Sequence, residues 1–128
     1  MMSSPSDKFE MEIDRVESAF REQLLRLLPE AAKSGVNLFT NSDFNPWKLP
    51  PKHTHPDADD LLQMARECLR LRERRGVAVP GSVGYLFLAM CEENVSRDEN
   101  RRGPRRLAEA LLEQVKALPS ATTGKTHQ

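Results

Sequence analysis

Ser82-Val83-Gly84-Tyr85-Leu86-Phe87-Leu88-Ala89-Met90-Cys91-Glu92-Glu93-Asn94 is the one stretch of this chain that is apolar almost all the way round. Val83, Leu86, Phe87 and Met90 recur at the spacing of one helix face. Leu88, Ala89 and Cys91 carry the apolar surface onto both flanks, as expected of a helix with neighbours on several sides. Ser82 fits the cap at its start, and Asn94 the cap at its end. A dozen residues fall short of a bilayer span, so the expectation is a central helix over 83–94 of a small helical core.

The rest of the chain supplies helices to cover it. Ser4-Pro5-Ser6-Asp7 is a helix start: Ser4 caps, Pro5 suits the first helical position and Asp7 complements the dipole. Phe9, Ile13, Val16, Phe20, Leu24, Leu27 and Ala31 then alternate steps of four and three, giving a straight amphipathic helix. Leu25 and Leu28 widen its stripe, while Glu10, Asp14, Glu17 and Arg21 read as its solvated face. Pro29 predicts a kink or a second short piece, and Gly35 a terminator.

A second helix opens at Pro56 or Asp57 and buries Ala58, Leu61, Leu62, Ala65, Cys68 and Leu69, ending at Gly76. A last helix starts at Pro104, buries Leu107, Ala108, Leu111, Val115 and Leu118, and stops at Pro119. The fold class expected is therefore all-α, a single domain of four principal helices over residues 4–118. The polar tail, 119–128, is expected to be disordered.

Between the first two helices lies a segment with no period. Leu38, Phe39, Phe44, Trp47 and Leu49 stand among Asn, Asp and four prolines, and it holds three of the seven aromatics of the chain. Such density argues for an ordered loop packed across the helices. Phe44 and Trp47 serve either as plugs at the core edge or, with Leu49, as a partner-binding element, since Trp is a favoured interface anchor.

Composition bounds the function. A formal net charge of zero excludes a molecule that binds nucleic acid or membrane through its overall field, while leaving a local patch open. Ten of the thirteen arginines fall in two clusters, from Arg66 to Arg75 and from Arg97 to Arg106. In the second, Arg101, Arg102, Arg105 and Arg106 crowd a helix N-terminus, where the dipole disfavours cations. A phosphate would offset them, with the free helix N–H groups adding donors. In an up-down bundle, however, Glu92, Glu93 and the aspartates at 57, 59 and 60 share that pole and neutralise the cluster from within.

Other chemistry has weaker signals. His53 and His55, followed by Asp57, Asp59 and Asp60, are metal-ligand types close together, but aspartates at a helix N-terminus need no metal to explain them. Glycines stand at helix ends and turns and form no phosphate-cradling loop. The exception is Gly84, which marks either a close helix crossing or a place where a ligand approaches the backbone. Cys68 and Cys91 lie on apolar faces and read as buried free thiols of a reducing compartment, so the location expected is cytoplasmic. No catalytic residues, cofactor, metal or membrane anchor are expected. The leading expectation is a non-catalytic protein-interaction or accessory-subunit module that is able to self-associate, with a protein partner or itself bound through Phe44, Trp47 and Leu49. The alternative is a nucleic-acid or other polyanion-binding accessory protein using Arg101, Arg102, Arg105 and Arg106.

Overall fold

A computed structural model of the chain describes residues 5–39, 55–96, 98–100 and 102–118, with side chains from Glu12 onward. Four helices account for most of them: α1 (Pro5–Ser34), α2 (Ala58–Arg75), α3 (Val83–Val95) and α4 (Pro104–Ala117). The fold is all-α, a helical bundle as the apolar periods require. Phe44, Trp47, Leu49, His53, Arg101 and the 119–128 tail lie outside the described residues.

α3 packs on α1, α2 and α4, so the most apolar helix does have neighbours on several sides. α1 likewise touches all three others, most extensively α4, whereas α2 and α4 stay apart among the described residues. The four helices thus form a ring in chain order, with α1 and α3 meeting across its diagonal. Cross-links at the ends show that successive helices alternate in direction. The segment after α1 bonds the start of α2 and the end of α3, through His55 N–H to the Asn37 carbonyl and Asn94 Nδ2 to Asn37 Oδ1. Arg105, in the first turn of α4, reaches the Lys33 carbonyl in the last turn of α1. One pole therefore holds the ends of α1 and α3 and the starts of α2 and α4.

The α1 stripe is buried as its spacing implies: Ile13, Phe20, Leu24, Leu27, Leu28 and Ala31 are all closed to solvent. Pro29 neither breaks nor divides the helix, which runs on to Ser34. Pro29 is exposed, so the carbonyl deprived of its helical donor can be hydrated, while Leu27, Leu28 and Ala31 hold the last turns against the core. Gly35, at φ +82°, ends α1 by donating its N–H to the Ala31 carbonyl at 2.8 Å.

At the centre, the Phe87 ring lies between Phe20 of α1, edge-on with centroids 5.6 Å apart, and Phe39, tilted at 5.4 Å. All three rings are fully buried. Phe39 therefore anchors the beginning of the inter-helix segment in the core.

Gly84 marks a helix crossing. A Cβ placed there would stand 2.9 Å from the Ala65 carbonyl oxygen and 3.0 Å from the Cys68 Cβ, both on α2. No larger residue lets α2 and α3 approach this closely.

Candidate functional site

The described residues concentrate polar chemistry at both poles of the bundle and leave one apolar patch on its side. At the pole that carries the start of α4, Arg102 is committed within the chain. Its Nε donates to Glu93 Oε2 at 2.9 Å, its Nη2 to Oε1 at 2.7 Å, and its backbone N–H to Oε2 at 3.0 Å. These bonds hold the Glu93 carboxyl below its usual range, against a smaller opposing effect of burial. The same pairing raises Arg102. Arg105 donates to the Lys33 carbonyl at 3.3 Å, complementing the negative end of α1. Arg106 is exposed. Of the three described arginines of this cluster, Arg102 and Arg105 thus donate to acceptors of the chain itself. No described aspartate of α2 forms an ion pair with them.

Beside this cluster is a buried amide pair. Asn94 is not the cap of α3: the helix runs to Val95, Ser96 caps it, and Asn94 is 4% exposed. Its Nδ2 donates to Asn37 Oδ1 at 3.5 Å, and the same oxygen accepts the Phe39 N–H at 2.8 Å. Burial without such partners would cost more than a helix cap gains. His55, whose Nδ1 accepts the Asp57 N–H at 3.0 Å, serves the start of α2. Among the described residues no group of three or more His, Cys, Asp or Glu side chains is placed to hold a metal ion.

The opposite pole corrects the solvated-face reading of Glu17. Its carboxylate is 4% exposed, and it accepts both Nε and Nη2 of Arg72, the latter at 2.9 Å. The third arm of Arg72, Nη1, donates to the Ala78 carbonyl at 2.6 Å and fastens the α2–α3 turn. These carboxylate bonds raise the Arg72 pKa despite the opposing effect of burial. The pair leaves a trace in the sequence. Glu17 stands in helical register with Ile13, Phe20 and Leu24, and Arg72 with Ala65 and Cys68, so opposite charges interrupt two apolar stripes. Around this pair lies a groove of 230 Å³ between α1, the α2–α3 turn and the end of α4.

On the side of the bundle, α3 turns Tyr85 outward at 41% exposure, with Ala89 also exposed and Leu88 half-buried beside it. Tyr85 is the one large apolar side chain standing open among the described residues.

Cys68 and Cys91 are buried free thiols, each pushed up to about 12 from 9.0 chiefly by burial. A thiol whose folded pKa exceeds its unfolded value supports the fold below pH 9.0, and that support is lost as pH rises toward 12. Each thiol should therefore remove about 1 kcal/mol of stability between about pH 9 and pH 10. Urea unfolding across this range should show the decline, and a Cys68→Ala/Cys91→Ala chain should flatten it. An unchanged slope in that variant would mean that the thiols ionise freely in the folded state.

No helix among the described residues is long and apolar enough to cross a membrane. No protein-family model, curated protein or solved structure matches the chain.

Proposed function

We infer that the protein is a non-catalytic protein-interaction or accessory-subunit module, with self-association as its simplest form. The observation that carries this reading is the open face of α3, where Tyr85 stands 41% exposed beside Ala89 and Leu88 on the most apolar helix of the bundle. A side chain with an apolar ring and a polar tip, on a rigid helix, suits an interface anchor. The Phe44, Trp47 and Leu49 segment belongs to the same reading on its composition.

The polyanion alternative loses support at Arg102 and Arg105. The first is held by Glu93 through three hydrogen bonds and the second donates to the Lys33 carbonyl, so fewer guanidinium donors remain for phosphates. The test is light scattering coupled to size exclusion at low and moderate salt, with and without single- and double-stranded oligonucleotides. A mass above one chain that survives moderate salt, ignores oligonucleotide and falls in Tyr85→Asp supports the interaction module. Co-elution with oligonucleotide at low salt, lost as salt rises, would transfer the function to the arginine pole.

A further inference from the structure

We propose that the open face of α3 is the twofold interface of a homodimer: the α3 helices of two copies pack antiparallel, and Tyr85 of each donates its hydroxyl to the partner's Glu92. The inference rests on the protein-interaction reading and names both the partner, a second copy of this chain, and the register.

The face is a single stripe. Tyr85, Ala89 and Glu92 are the exposed residues of α3, and half-buried Leu88 completes the spacing i, i+3, i+4, i+7. One end carries a ring with a hydroxyl donor, the middle two apolar side chains, and the other end a carboxylate acceptor. Ala89 is small, so a second helix can lie close over the middle. Packing on the three other helices already holds α3 in place, and docking therefore orders little backbone.

The ends of the stripe select the occupant. The first turn of α3 carries no acidic residue and its last turn no basic one, the reverse of what the helix dipole prefers. Glu93 is offset by Arg102, but Glu92 stands exposed in that same last turn. An antiparallel copy, with the twofold axis between Leu88 and Ala89, sets each Glu92 against the partner's first turn, where a carboxylate is favoured. It also sets each Glu92 opposite the partner's Tyr85, because positions 85 and 92 lie equally far from that axis. The contact is thus self-complementary and made twice. A parallel copy would instead bring carboxylate to carboxylate. A formal net charge of zero adds no general repulsion between copies.

Size sets the strength. α3 has 13 residues and is roughly 20 Å long. One such helix from each copy makes a contact below about 1,200 Å², the range of weak and transient pairs. The dimer should therefore dissociate in the micromolar range.

The experiment is sedimentation equilibrium of the full chain across micromolar concentrations at moderate salt. Tyr85→Phe, which keeps the ring, and Glu92→Ala should each weaken the dimer about tenfold. The double variant should be no weaker than either alone, because both changes remove the same bond. Both positions are exposed, and Glu92→Ala removes a carboxylate that the helix end disfavours, so an undiminished thermal midpoint will separate weaker pairing from unfolding. Additive losses would overturn the pairing, as would a dimer that Tyr85→Asp breaks but Tyr85→Phe and Glu92→Ala leave intact. In both cases the interaction reading would stand on the α3 face. A monomer throughout would overturn the homodimer, and the interaction reading would fall with it only if the chain also co-elutes with oligonucleotide at low salt.

Discussion

Glu17→Ala should lower the free energy of unfolding by about 3–5 kcal/mol, as expected when one partner of a buried ion pair is removed. The carboxylate it deletes is 4% exposed, and Arg72, left behind, has a side chain only 15% exposed. Arg72 would keep its bond to the Ala78 carbonyl but lose both charged acceptors, stranding a guanidinium with little access to water. Replacing the two together, Glu17→Leu with Arg72→Met, removes both desolvated charges and should cost far less than either change predicts alone. A double-mutant cycle read by urea unfolding separates these cases. A loss below about 1 kcal/mol for Glu17→Ala would place the pair among ordinary surface bridges and refute its burial.

Phe87→Ala should cost a comparable amount, about 3–5 kcal/mol, for a different reason. The ring is fully buried and bridges Phe20 of α1 to Phe39, which enters the core from the segment after α1. Its removal opens a cavity at the diagonal contact of the bundle and forfeits two aromatic contacts worth about 0.5–1.5 kcal/mol each beyond area. Since domains of this size are stable by roughly 5–15 kcal/mol, the variant should unfold at far lower denaturant. Tyr85→Ala, two positions earlier on the same helix but outward, should stay within about 0.5 kcal/mol of the parent. Similar losses at both positions would show that α3 lacks the buried and open faces assigned to it.

The four helices were legible because apolar residues recur at the helical period and because Ser82, Gly35, Gly76 and Pro104 punctuate the runs, all of which are local properties. No second short piece begins at Pro29: the proline's cost to an isolated helix is real, but buried neighbours on both sides of it carry the helix through to Ser34. Asn94 and Glu17 show the limit from the polar side. Residue type suggested a cap for one and water for the other, whereas each is buried by a partner more than fifty positions away.

Pairings across that distance obey no period. Arg102 and Glu93 differ in being only nine positions apart, across the short α3–α4 connector, so chain order alone put them at one pole. The sequence by itself determined where helices form, which faces they bury and that Gly84 needed a special reason. Only the tertiary structure decided that the reason is the α2–α3 crossing, that the Glu17–Arg72 bridge floors a groove, and that Tyr85 remains open. Helix formation and the apolar stripe of each helix depend on neighbours within a few residues. Charge pairing, crossings and grooves depend on which distant surfaces the packed core brings together.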